Sequence, residues 1–295
     1  MIKAEILLDS IGAGGSAPRL TTFLLTFPRF ILSEVNTHRM LSRNYPSSRA
    51  IPVEKRLEMM SENLVIPIEW GMNDTSMQSK VVASSATAHF AELEWRKAAF
   101  HAMQSARELN QLGLHKQIVN RLLEPFIEVT GLVTGTQAAW ENFLALRAEE
   151  SADPHIQRLA YLLLEEYNRS TPQILKPGEW HVPFGSQMPP GLSWDEQIKV
   201  AVARSARVSF NNFDGSQDVE KDFKLHDRLA AQGHWSSFEH IAQVPSLYHE
   251  SSETVSLATA AEKAQALGGN LAGWLQLRKT YPHECRRDAR VVHKP

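Results

Sequence analysis

The chain has one cysteine, Cys285, in 295 residues. That excludes an intrachain disulfide and a zinc cluster built on cysteine pairs, and it suits a reducing compartment. Cys285 is expected to be inert. Long apolar runs are missing too. The stretch from Phe23 to Leu32 is broken by Pro28 and Arg29, far short of the roughly 20 residues a membrane-spanning helix needs. No basic leader with a small-residue cleavage site is visible, so the expected location is cytoplasmic. Nor does charge of one sign dominate. A formal charge of −2 gives no global field for nucleic acid or membranes, so anion binding must come from local arginine clusters.

Several chemical signatures are also lacking. His226, His234 and His240 have neither a nearby cysteine pair nor an HExxH helix, so no metal is expected. Ser47 has no Gly-x-Ser-x-Gly elbow around it. The apolar run Ile2 to Leu8, followed by Gly12, Gly14 and Gly15, suggests a strand and a turn. That turn has neither the Lys-Ser/Thr of a phosphate loop nor the spacing of a dinucleotide fingerprint.

What is present is globular material, 43% hydrophobic, enough for one large domain or two small ones. Leu20 to Leu32 suggests a strand running into a helix start near Pro28. Val81 to Leu112, with Phe90, Leu93, Ala98 and Met103 at helical spacing, predicts a long amphipathic helix. Ala138 to Tyr167 predicts one or two helices interrupted near Asp153-Pro154, and Asp195 to Val208 and Asp218 to Gln232 predict two more. Residues 171–193 are dense in Pro and Gly and are expected to be a connector with little regular structure. The chain thus divides into 1–170, the connector, and 194–295, the last expected to complete one domain with the first. Trp274-Leu275-Gln276-Leu277-Arg278 echoes Phe143-Leu144-Ala145-Leu146-Arg147, too briefly to imply a repeat.

Residues 36–49 hold three arginines, a histidine and three serines within fourteen positions. Such a cluster offers fixed cations and hydroxyl or amide donors suited to phosphate and to a ring with polar edges. His38, Arg39, Ser42, Asn44, Ser47 and Arg49 fill the spacing of RHRxxSxNxxSxRY, the signature of the flavin-dependent thymidylate synthases, and the chain resembles that family. Arg121 to Pro125 is similar to the family's ARxxLP segment and Asn142 to Arg147 to its NFLxLR segment. Asn142 and Arg147 are five apart on a helix, about 140° around its axis, so they address neighbouring ligands. Ala206 to Phe210 and His234 to His240 resemble the ARxSF and HxSPFEH blocks. In the family these precede the arginine-rich signature, whereas here they follow it, which implies a circular permutation.

The resemblance implies an α+β fold with long helices packed on an antiparallel sheet, assembled as a homotetramer. It implies reductive methylation of dUMP at C5 with methylenetetrahydrofolate, FAD and NADPH. Arg147 and Ser47 would be catalytic, and Glu34, Ser47, Arg49, Arg121 and Arg147 would hold the substrate. His38, Arg39, Asn44, Asn142, Ser209, His234, Ser236 and Glu239 would line the flavin. Departures are Thr37, Tyr45, Ser48 and Ala50 in the signature, Glu34 for a glutamine, Ser237 for proline, and Thr136 and Ala138 for an asparagine and an arginine. They leave open a related hydroxymethylase, a dCMP-directed enzyme, or a non-catalytic nucleotide-binding protein. Residues 245–295 have no counterpart.

Overall fold

A computed structural model describes residues 1–212, 214–246, 262, 265–282 and 284–285. The N-terminal apolar run forms strand β1 (Lys3–Gly12), which continues beyond Leu8 into the glycine cluster. The rest of that cluster is one 3-10 turn, Ala13–Gly15, with Gly14 at φ 60°, a conformation that suits glycine. β2 (Leu20–Pro28) follows as a strand whose Thr, Phe and Leu side chains are nearly all buried. Pro28, without an N–H, ends it, and a short turn leads into helix α1 (Leu32–Asn36).

β3 (Ser42–Asn44), α2 (Val53–Glu62), α3 (Ser85–Gln111), α4 (Lys116–Val119), β4 (Glu128–Thr136), α5 (Gln137–Arg147) and α6 (Pro154–Arg169) complete the first part. The long predicted helix is α3, capped by the Ser84 hydroxyl, which accepts from the Thr87 N–H. Its apolar stripe differs from a core stripe: only Ala99 and Ala106 of its 27 residues are buried, and Phe90 and Phe100 are 68% and 54% exposed. The predicted interruption before Pro154 separates α5 from α6, because Asp153 caps α6 by accepting from the His155 and Ile156 N–H groups.

The connector is mostly irregular but contributes short strands. It contains β5 (Gln173–Leu175), parallel to β1, and β6 (Trp180–His181). Its prolines, at 172, 177, 183, 189 and 190, all lie outside these short pairings, so none removes a ladder donor. α7 (Trp194–Arg207), α8 (Val219–Gln232), β7 (Ala242–Gln243) and β8 (Leu275–Gln276) follow.

The architecture is α+β. One sheet has the order β3-β4-β2-β1-β5 and the other β6-β7-β8. All pairings are antiparallel except β1 with β5. One core, including Phe23, Phe27, Val133, Trp140, Phe143 and Leu159, lies between the larger sheet and α5 and α6. Another joins Ala17 and Leu20 of the first part to Leu175, Ala242, Leu271 and Trp274. Two side-chain pairs lock β2 to β4: Thr22 with Thr134 at 2.7 Å and Thr26 with Thr130 at 2.8 Å, each between register partners. Among the described residues no helix is long and apolar enough to cross a membrane.

Candidate functional site

β3 is the short strand on which the out-of-order blocks meet. Tyr45, just after it, lays its ring across Gly131 of β4, where a Cβ would fall 1.8 Å from a ring carbon. Only glycine allows that approach, and burial pushes the Tyr45 phenol up. With β3 held this way, the Asn44 amide donates to the carbonyls of Ser205 (2.8 Å) and Ala206 (3.2 Å). The Ser236 hydroxyl donates to Asn44 Oδ1 at 2.9 Å. One side chain thus clips together the arginine-rich signature, the 206–210 block and the 234–240 block, the last two more than 160 residues beyond Asn44 in sequence.

The 206–210 block begins where α7 ends. Val208 terminates that helix at φ 55°, ψ 42°, a left-handed conformation that a β-branched residue adopts only under constraint. Next to it Arg207 is fixed by the buried Asp222 carboxylate and by the carbonyls of Phe210 (3.0 Å) and Asn211. Ser209 accepts from the Asn211 N–H at 3.1 Å.

The 234–240 block is anchored from below. His240 Nδ1 lies 2.8 Å from the Thr134 hydroxyl, which bonds Thr22. Thr22 lies 2.8 Å from His181 Nε2, and His181 Nδ1 lies 2.9 Å from Ser10. All five side chains are fully buried. Burial lowers both imidazoles to about 3, and a charge on His240 would further oppose protonation of His181, so both are neutral.

Glu239 pairs with Arg278, which also donates to Glu284 at 2.9 Å. The Gln276 amide donates to the Glu239 carbonyl (3.1 Å) and the Ser42 hydroxyl (3.4 Å). Gln276 and Arg278 were missed from sequence. The only signal was the short echo of the Phe143–Arg147 segment, and both echoed arginines stand at the site.

A second cluster forms around His38. Arg147 Nε donates to His38 Nε2 at 2.9 Å, and Arg43 donates to the His38 and Asn36 carbonyls. Burial, with Arg147 and Arg43 close by, lowers His38 to about 4. The ring is therefore neutral and its Nε2 lone pair is taken by Arg147. Glu34 shares this neighbourhood. Burial and Asp153 raise its carboxyl while Arg147 and His155 oppose them.

The turn carrying Ser47 and Arg49 is pinned by Ser48. Its carbonyl accepts from Asn120 at 2.6 Å, and its hydroxyl donates to Glu124 and accepts from Arg29 at 3.2 Å. Asn120, the residue before Arg121, also donates to the Ile51 carbonyl at 2.9 Å, so its amide bonds the backbone on both sides of Arg49. Arg39, Arg49 and Arg121 are exposed and have no ion pair or side-chain hydrogen bond among the described residues. Asn142 and His234 are exposed as well. The site thus combines an extensively hydrogen-bonded framework with free guanidinium, amide and imidazole groups, a donor set that fits a phosphate-bearing aromatic cofactor and nucleotide.

A family model described as thymidylate synthase complementing protein matches residues 20–173. The flavin-dependent thymidylate synthase of Mycobacterium avium (strain 104) is 28% identical over 155 residues, covering 52% of this chain and 58% of that protein. Its counterpart in Mycobacterium tuberculosis (strain H37Rv) is 29% identical over the same length and shares. The chain thus spans 58% of the length of these relatives. The solved structure of a UMP/dUMP methylase, PolB, from Streptomyces cacaoi bound with 5-Br UMP is similar at TM-score 0.46 and 17% identity, over 57% of this chain and 89% of that one. The blocks at 206–210 and 234–240 lie outside the family match.

Proposed function

Because the chain belongs to the family of thymidylate synthase complementing proteins, we propose that it is a flavin-dependent thymidylate synthase-like methyltransferase. It would methylate dUMP reductively at C5, taking the carbon from methylenetetrahydrofolate and electrons from NADPH through FAD. The observation that carries this reading is the Asn44 clip, which joins blocks far apart in sequence on one strand. Circular permutation accounts for their order, and residues 1–170 and 194–295 then complete one site.

FAD, when bound, supplies hydride transfer. Arg39, Asn142 and His234 would hold it, over a turn that Asn44, Ser209, Ser236 and Glu239 keep in shape, with His38 beside Arg147. Arg49, Arg121 and Ser47 would bind the nucleotide phosphate. Arg147, oriented by His38, would stabilise charge developing on the pyrimidine carbonyl as C5 attacks. Glu34 beside Arg147 favours one further reading, a cytosine nucleotide as substrate, because a carboxylate accepts from an exocyclic amino group and repels a carbonyl.

The exposed phenylalanines of α3 support a homo-oligomer, with a tetramer as the proposed state. Sedimentation measures it. The enzymatic reading is tested by the flavin absorbance of purified protein, then by mass spectrometry of products from dUMP and dCMP with the folate and NADPH. A protein that takes up no FAD is a nucleotide-binding protein on the same fold, and one that binds FAD but leaves both nucleotides unmodified is not this enzyme.

A further inference from the structure

A cavity of about 560 Å³ opens between the first turns of α7, the middle of α8 and the 277–282 segment. None of the residues assigned above to flavin or nucleotide lines it. Its volume is that of a small-molecule site. Its walls include Trp180, Trp194, Ile198 and Pro282. The two indoles meet at 5.5 Å and 42°. No ring fits between them, and a flat ligand must stack on Trp194, which is 41% exposed.

The polar groups of the cavity have a definite pattern. His226 Nδ1 lies 2.9 Å from Asp227 and its Nε2 lies 3.1 Å from the Tyr281 hydroxyl. Burial lowers His226 despite Asp227, so the ring is neutral. The hydrogen bonds assign its proton to Nδ1, facing the carboxylate. The Tyr281 hydroxyl then donates to Nε2, and its oxygen remains an acceptor. Asp195, also in the wall, has no side-chain partner among the described residues and is a second acceptor. Lys199 is the donor; it spends one N–H on Asp227 at 3.0 Å and keeps two.

An apolar plate flanked by two acceptors and one cationic donor matches one class of ligand. We propose that this cavity binds a planar, amino-substituted nitrogen heterocycle. Its ring stacks on Trp194, its amino group donates to Asp195, and a ring nitrogen or carbonyl accepts from Lys199. Purines and pterins share that chemistry. The inference does not rest on the flavin reading, although Tyr281 packs against Trp235 and Phe238 of the 234–240 block at 5.2 Å.

The test is calorimetric titration of the full chain with adenosine, with 6-carboxypterin, and with uridine as a flat ring lacking the amino group. Adenosine or the pterin should bind saturably below about 1 mM, and which of them does so identifies the source. Trp194→Ala and Asp195→Asn should each weaken that binding by about tenfold or more, as expected for a lost stack or a lost charge-assisted contact. FAD uptake by the same variants should be unchanged, which separates failure here from failure of the flavin reading. If Trp194→Ala does not fold, Asp195→Asn alone decides. The proposal is overturned if neither heterocycle binds, if uridine binds equally well, if saturating FAD displaces the ligand, or if binding survives the substitutions.

Discussion

The two ends of the candidate site are built on opposite terms. Around Asn44, polar side chains are spent on one another: Ser236 on Asn44, Asn44 on the end of α7, Glu239 on Arg278, and Gln276 on Ser42. Around Arg39, Arg49 and Arg121, the guanidiniums have no partner among the described residues. The first end is completed by folding, so its hydrogen bonds contribute to stability and hold distant blocks in register. The second contributes almost nothing to stability, because exposed unpaired cations have nothing to gain from the fold. Its interaction energy stays available for an anion. Framework and binding capacity are therefore separable by experiment.

Acid should break the framework first and hardest. His181 and His240 are fully buried and lowered to about 3, and His38 to about 4. A histidine depressed in the fold binds fewer protons there than when unfolded, so stability falls as pH drops below the unfolded value near 6.5. The loss continues until the folded value is reached. Each fully buried ring is worth on the order of 4 kcal/mol across that window, so two together rival a typical total stability. Urea denaturation from pH 7 to 4 should show a steep decline, and a flat profile would mean that the imidazoles find water.

The Tyr45–Gly131 contact offers a sharper cut. Gly131→Ala places a methyl inside the Tyr45 ring and should cost about 3 kcal/mol by overpacking. In a Tyr45→Ala background the same change should cost little, since the obstruction is gone. A double-mutant cycle by urea denaturation measures the coupling, and additive losses would show that β3 is held by something else.

How much of this was legible in the sequence depends on how local the signal is. α3, α6, α7 and α8 could be read because caps and periodicity lie within each segment, as Asp153-Pro154 and Ser193 to Glu196 do. β4 went unread, although Val129 to Thr136 is rich in β-branched residues. Its identity as a strand is fixed by pairing with β2, more than 100 residues away. The connector's short strands went unread for the same reason: the pairing of Gln173–Leu175 with β1 is invisible in its proline content. At the site, motif spacing picked out the candidate residues that Asn44 and Arg147 bring together. It could not find Gln276, Arg278 or the Thr22–Thr134–His240 chain, whose roles exist only after the sheets assemble.

The contrast between the two ends can be measured with matched substitutions. Asn44→Ala removes three hydrogen bonds and should cost about 2 kcal/mol of stability, with FAD uptake lost alongside. Arg49→Ala and Arg121→Ala should leave stability within about 0.5 kcal/mol yet weaken nucleoside monophosphate binding by roughly tenfold or more. Binding of the nucleoside without phosphate should not change. Denaturation and calorimetry on the same three variants give the comparison, and an arginine variant as unstable as Asn44→Ala would erase the distinction between the two ends.

The smallest expected effect concerns the base. Glu34 is half-buried beside Arg147, and burial with Asp153 raises its carboxyl, so its charge is already strained at neutral pH. Glu34→Gln removes that charge while keeping the size. It also supplies an amide that both donates and accepts, and so suits either uracil edge. Stability should rise slightly or stay level, because a desolvated carboxylate near another one is relieved. If Glu34 faces the pyrimidine, the dUMP to dCMP affinity ratio should move toward dUMP by roughly tenfold, the worth of one charge-assisted contact. If it serves only to balance Arg147, both affinities should change together and the ratio should hold. Titration of both nucleotides into both proteins separates the cases. An unchanged ratio would assign Glu34 to the framework end of the site and leave Arg147 as the only charged group of that pair to meet the base.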